Sequence, residues 1–356
     1  PVPKMDAIVF ETCASRIKTR AVVQDLWSGY GAVVRVTLED GRSVIVKHVA
    51  PPPAGARDAP SAVFARDRKL RSYAAEQAFY QGRAATLLVE GGEDAAGCRV
   101  AKLLGATCDA TTHERFLVLE DLDASGYAGR KHACRSAREV RPLVRWLARF
   151  HRAFLRGVDS TTCDDDDDDA CGRLLWPQGC YWHLDTRPDE LERMDSRDPL
   201  RRHARALDAR LQAARHVTLL HGDAKIANFC FADDAVAAVD FQYCGRGVGV
   251  RDLAYLLGSC LTEAQMLRDN DDLLEYYFRE LDAGALYPDL EREWRTLWPV
   301  CFADFERFLA GWQPGHWKRN GYTKAMVDRA LAALLERSHD DALAPDCSSK
   351  LLSRPE

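Results

Sequence analysis

Apolar positions cluster with frequent β-branched side chains over residues 20–27, 32–39 and 43–49. That pattern predicts three antiparallel strands, the second and third joined by the tight turn "EDGR" at 39–42. The stretch "PPPAGARDAPSA", 51–62, is a loop by composition, and helical periodicity follows from about 66 to about 88. Two further strands are expected in "RVAKLLGAT" and "RFLVLEDL", which closes a first unit near Leu122. Beyond it the pattern turns helical. In "PLVRWLARFHRAFL" one face gathers Leu143, Trp146, Leu147, Phe150, His151 and Phe154, so a buried helix is expected with His151 as a hydrogen-bonded core histidine. More helices are expected from about 252 to 337, then a loose tail.

One segment breaks the helical pattern. "VTLL", "FCF" and "VAAV" read as short strands, the last two forming a hairpin around "ADDA", and between the first two lies "HGDAKIAN", 221–228. Paired strands lie roughly 4.8 Å apart, so Asn228 at the hairpin's entrance and Asp240 at its exit are expected to be neighbours, with Asp223 facing the same point. Oxygen donors so placed suit magnesium, which takes one or two protein ligands and leaves its other positions to phosphates and water.

Composition narrows the field. A chain of 356 residues, 47% hydrophobic and 29% charged, can bury a sizeable core in two lobes, and a net charge of −5 offers no field for a nucleic-acid backbone. No apolar run approaches the roughly 18 residues of a membrane span, and the amino end lacks a signal peptide's apolar core. Twelve cysteines lie scattered from Cys13 to Cys347 without a C-x-x-C pair, which points to reduced thiols and a cytoplasmic protein. The six aspartates 164–169 are expected in a solvated loop.

His221-x-Asp223-x-x-x-x-Asn228 followed by Asp240-Phe241 resembles the catalytic loop and metal-binding aspartate of the protein-kinase-like superfamily. The glycine after the histidine and the short interval to Asp240 are similar to its small-molecule branch: aminoglycoside phosphotransferases, choline kinases and, most closely, ecdysteroid-kinase-like (CHK kinase-like) proteins. The resemblance implies a bilobal α+β fold, with residues 1–122 as nucleotide-binding lobe, 123–345 as catalytic and substrate-binding lobe and 346–356 as a tail. It implies ATP and Mg2+ as cofactors, Asp223 as the catalytic base, Lys225 at the transferred phosphate, and Asn228 and Asp240 as metal ligands. Lys47 in "VIVKHV" would hold the ATP phosphates and Glu76 in "SYAAEQAFY" would position it, while Gly29 and Gly31 line the phosphate loop and Glu120 marks the hinge against the adenine. Val34 stands where protein kinases carry a third glycine. About a dozen residues separate Asp240 from Asp252, too few for an activation segment, so a protein substrate is not expected. Asp252 itself reads as a helix cap and His221 as an organiser of the loop.

Six of the eight tryptophans follow residue 170. Trp182 in "CYWHLDTR" and Trp317 in "GWQPGHWKRNGY" are expected on loops, as walls of an acceptor pocket for an apolar alcohol or a quaternary ammonium alcohol. Two other readings are a pseudokinase that binds nucleotide without turnover and a metal-dependent phosphoesterase, which would require more histidine and aspartate ligands than the sequence offers.

Overall fold

A computed structural model describes residues 2–53, 55, 59–90, 97–155, 174–285 and 287–343; the six aspartates and the expected tail lie outside them. A helix, α1 (Val2–Cys13), precedes strands β1 (Ile17–Asp25), β2 (Gly31–Leu38) and β3 (Ser43–Val49). Helices α2 (Pro60–Gln81) and α3 (Arg83–Glu90) follow, then β4 (Arg99–Val100), β5 (Leu103–Cys108) and β6 (Arg115–Glu120). Five strands form one antiparallel sheet in the order β1-β2-β3-β6-β5. Alternation along β2 and β3 puts Val34, Val36, Leu38, Val44 and Val46 on one buried face, as a period of two requires.

Three details differ from the sequence pattern. The covering helix α1 was not expected, although Met5, Ile8, Val9 and Cys13 recur at helical spacing and pack onto the valines of the sheet. α2 begins earlier, at Pro60, because proline fits a first helical turn whose N–H has no partner, and the helical run breaks at Gly82 instead of running unbroken to 88. "RVAKLLGAT" is not one strand: Arg99–Val100 pairs in parallel with Ala237 and Ala238 of the other lobe, and only β5 joins the sheet. The indole of Trp146 donates to the Arg99 carbonyl at 3.1 Å, which ties this crossing point to the helical lobe.

That lobe contains α4 (Ala137–Ala153), α5 (Pro188–Arg193), α6 (Pro199–Gln212), β7 (Thr218–Leu220), β8 (Phe229–Phe231), β9 (Val236–Ala238), β10 (Gly245–Gly247), α7 (Gly249–Cys260), α8 (Glu263–Leu281), α9 (Leu290–Trp312) and α10 (Gly321–Leu343). The predicted face of α4 is buried from Leu143 to His151, with Phe154 half-buried. β8 and β9 form the predicted hairpin. A single core joins the lobes, running from Phe79 and Tyr80 of α2 through Leu117 and Trp146 to Phe241 and Trp294. Burial of each such side chain contributes about 1.5–3 kcal/mol, so the two lobes share their strongest packing directly behind the loop at 221–228. No described helix is long and apolar enough to cross a membrane.

Candidate active site

The loop that follows β7 is held by its own polar groups. His221 donates from Nε2 to the Val239 carbonyl at 3.0 Å, and its Nδ1 accepts from the Asp223 amide at 3.2 Å, so the two contacts specify one tautomer and lock the loop to the hairpin. Gly222 has a φ of +79°, and a Cβ there would lie 1.9 Å from the Tyr243 carbonyl oxygen. No other residue fits that approach. The carbonyl and carboxylate Oδ2 of Asp223 accept from Asn228 Nδ2 at 2.8 and 3.1 Å, and Lys225 Nζ donates to the same Oδ2 at 2.9 Å. The second oxygen, Oδ1, is buried without a hydrogen-bond partner. Donation from the amide nitrogen of Asn228 to Asp223 leaves its amide oxygen as the group of that side chain able to accept a hydrogen bond or bind a cation.

Lys47 reaches from the middle of β3 into this region. Its Nζ lies 2.6 Å from Glu76 Oε2 on α2 and 3.2 Å from Asp240 Oδ1. Burial pulls the Lys47 ammonium down, and the Glu76 and Asp240 carboxylates more than offset it, so it is held above its ordinary value and stays charged. Burial lifts the Glu76 carboxyl against the pull of Lys47. For Asp240, burial acts upward but Lys47 and Lys225 hold it below the usual carboxylate value. Asp240 adopts φ +71°, a conformation that costs most residues energy and that aspartate tolerates comparatively well. The hairpin brings the Asn228 carbonyl to the Val239 amide at 2.9 Å, one residue before Asp240. Phe241 stacks on Phe79 with ring centroids 3.8 Å apart, which anchors this turn to the helix carrying Glu76.

The remaining expected residues are placed as follows. Gly29 and Gly31 lie in and just after a single 3-10 turn between β1 and β2. Space around Gly29 is open, whereas a Cβ on Gly31, at φ +120°, would meet the His48 carbonyl oxygen at 2.1 Å; close approach to β3 therefore requires glycine at 31. Glu120 ends β6, where its carboxylate is already engaged by Arg99, by the Ser125 hydroxyl at 2.5 Å and by the Lys102 amide at 3.1 Å. Trp317 is exposed.

Two expectations are corrected. Asp252 is not a helix cap: α7 starts at Gly249, and the Asp252 carboxylate, with no exposed surface, accepts from the His221 and Gly222 amides at 2.7 and 3.1 Å. Tertiary contact takes that carboxylate across to the loop, and His151, hydrogen-bonded to Tyr277 at 2.8 Å, sits behind it. Trp182 is not a pocket wall. Its turn is irregular as predicted, yet the ring is fully buried among Tyr255, Phe305 and Phe308, and its Nε1 donates to Asp304 at 2.9 Å. Breaks in helical period located a turn there but gave no information on which way the turn faces.

Sequence reasoning also missed residues that complete the site. Gln242 donates to Asp240 Oδ1 at 2.7 Å and accepts from Ser72 of α2 at 3.1 Å, a bridge between lobes for which position directly after Asp240-Phe241 was the available signal. The hydroxyls of Tyr181, Tyr243 and Tyr255 lie within the field of Asp223, and burial first, then that carboxylate, raises Tyr181 above its ordinary value.

Residues 22–290 match the phosphotransferase enzyme family. A search of curated protein sequences found no match. Among solved structures, a microcompartment-associated aminopropanol kinase is 13% identical, covering 96% of this chain and 99% of that one with a TM-score of 0.52. An amicoumacin kinase in complex with AMP-PNP and Ca2+ is 15% identical, with 88% of each chain covered and a TM-score of 0.46. A choline/ethanolamine kinase family protein from Mesorhizobium loti is 15% identical, covering 94% and 98% at a TM-score of 0.44. The first of the three shares the bilobal α+β fold, and the family match spans both lobes. The chain belongs to the phosphotransferase enzyme family and is a small-molecule kinase.

Proposed function

We propose that this kinase transfers the γ-phosphoryl group of ATP to a hydroxyl of a small alcohol with an apolar body. The observation that carries the reading is Asp223, whose Oδ2 is held by Asn228 and Lys225 while Oδ1 is buried without a close hydrogen-bond partner, the Tyr255 hydroxyl lying near the carboxylate. An unpartnered buried carboxylate oxygen is costly unless a hydroxyl completes it. Asp223 orients that hydroxyl and takes its proton as the new O–P bond forms and the bond to the leaving ADP oxygen breaks. Lys47, aligned by Glu76, steadies the phosphates, and Lys225 neutralises the transferred group.

Asn228 and Asp240 fit a magnesium ion, since the Asn228 amide oxygen and Asp240 Oδ2 carry no hydrogen bond and both are hard oxygen donors. No group of three or more histidine, cysteine, aspartate or glutamate side chains suited to a metal occurs among the described residues. Bound there, magnesium would offset negative charge on the phosphates. In this reading residues 1–122 supply the nucleotide side of the cleft and 123–345 the acceptor side. Half-buried Tyr181 and Tyr243 and exposed Trp317 are aromatic groups available to an apolar acceptor, which favours the ecdysteroid-kinase-like branch.

An ADP-release screen over steroids, amino alcohols, aminoglycosides and sugars tests the proposal. Magnesium-dependent release with an apolar alcohol is expected, and Asp240→Ala should abolish metal-dependent nucleotide binding. Metal-dependent ATP binding without release on any acceptor would indicate a pseudokinase.

A buried pair at 2.6 Å acts as one unit. Lys47→Met and Glu76→Gln should each lower kcat/KM for ATP, and the double variant should lose little more than the worse single one. Losses that add in full would show that the pair does not function together.

A further inference from the structure

Cations from three parts of the chain lie around the tyrosines next to Asp223, in the field of the Asp223, Asp240, Asp189 and Glu190 carboxylates. Arg68 and Lys69 come from α2, Arg187 from the start of α5, and Lys318 from the segment between α9 and α10. Among the described residues Arg68, Lys69 and Lys318 make no ion pair, and Arg187 has one, to Glu190 at 3.5 Å. Arg68 Nη1 donates to the Thr186 carbonyl at 2.7 Å and Arg187 Nε to the Tyr181 carbonyl at 3.2 Å, which sets these two next to each other. Arg187 and Arg68 act on the Tyr243 hydroxyl together with Asp223 and Asp240, and Lys318 interacts with Asp223 and Lys225. Arg187 stands 5.7 Å over the Tyr181 ring, and Lys318 4.9 Å over Tyr255.

Such an arrangement is unfavourable in an empty site. Burial lowers the Lys318 ammonium to about 8 against the pull of Asp223, and it lowers Lys69 to about 8 against the pull of Asp240, with Arg187, Arg68 and Lys47 adding to the lowering. Arg68 is likewise lowered by burial and by Arg187. Like charges brought together from three parts of the chain are expected where an anion completes them. The nucleotide's phosphates are served by Lys47, and Lys69, 5.6 Å over Tyr30 beside the glycine turn, could join it. Lys318 is placed otherwise, among Tyr255, Phe305 and Trp317.

We infer that the acceptor is an anionic alcohol: a hydroxyl compound with a flat apolar body that also carries a carboxylate, sulfate or phosphate, bound by Arg68, Arg187 and Lys318. This rests on the phosphotransferase reading and narrows it. Cationic acceptors such as amino alcohols and aminoglycosides would be repelled by the same groups.

The test uses matched acceptors, 4-(hydroxymethyl)benzoate and a hydroxylated steroid acid, each beside its methyl ester, with binding followed by calorimetry and turnover by ADP release. At least one acid should bind about ten-fold or more tighter than its ester, Lys318→Met should reduce that preference to roughly two-fold, and Lys318→Arg should retain it. ATP affinity should not change in either variant. If no acid outbinds its ester, the inference fails, even where ADP release shows that the kinase reading holds. Preferred binding of acids without ADP release from any acceptor would leave the anion site standing and sink the kinase reading. Weakened ATP binding in Lys318→Met with the acid preference intact would assign Lys318 to the nucleotide and overturn the inference.

Discussion

Replacing Asp223 by alanine should lower turnover by about 10²-fold or more while nucleotide still binds, the loss expected when a positioned general base is removed. Its carboxylate contacts Lys225 and Asn228 of its own loop, whereas the Lys47 ammonium is paired with Glu76 and Asp240. Deleting Asp223 therefore removes the proton acceptor and leaves the phosphate-facing lysine in place. Alanine also strands Lys225 and the Asn228 amide, so Asp223→Asn, which keeps the shape and one oxygen, is the companion variant. Calorimetric titration with ATP and magnesium should give near wild-type affinity for Asp223→Asn, and ADP release should collapse in both variants. Wild-type turnover in either would show that another group takes the proton.

The second large effect is on stability. Asp304 lies on α9 with 1% of its side chain exposed, 2.5 Å from Arg251 and 3.0 Å from Arg307, and it also accepts from the Trp182 indole. Burial works against its charge, but Arg251 and then Arg307 hold the carboxyl down at about 2. Removing one partner from a buried ionic network leaves uncompensated charge, at a cost of roughly 3–5 kcal/mol. Asp304→Ala should therefore shift the denaturant midpoint strongly without changing the slope of the transition. A loss below about 1 kcal/mol would place the network among the weak surface pairs instead. Arg307 also donates to the Trp182 carbonyl at 2.8 Å. This network is thus what holds the Trp182 turn in the core and sets Tyr181 beside Asp223.

Short-range features were the ones that could be read in advance. β-Branched runs placed β2 and β3, short apolar runs around a polar turn placed the β8–β9 hairpin, and the helical period of α4 named its buried face. Spacing within "HGDAKIAN" set Asp223, Lys225 and Asn228 on one loop, and those contacts are local enough to follow from chain order. The pairing of Lys47 with Glu76, 29 residues apart, was legible through the resemblance to the kinase pattern, in which a helix glutamate holds the third-strand lysine, and a carboxylate on an otherwise apolar helical stripe needs a partner.

What tertiary structure decided are the contacts in which one side chain has several possible partners. Asp252 could have capped its own helix, and the fold instead carried it to the His221 and Gly222 amides, because packing of α7 against β7 put those two unpaired donors in reach. Val100 continues an apolar run toward β5, yet it pairs with Ala238, since the hairpin offered an open strand edge where the chain crosses between lobes. Trp182 sits in a turn that its flanking residues predict, and only the buried Asp304 on a helix 122 residues away turned the ring inward. The cations Arg68, Arg187 and Lys318 are unremarkable in the sequence, since no motif or shared spacing links them. Their convergence on Asp223 exists only once three distant segments fold around one loop, since periodicity specifies which face of an element is buried and not which other element will cover it.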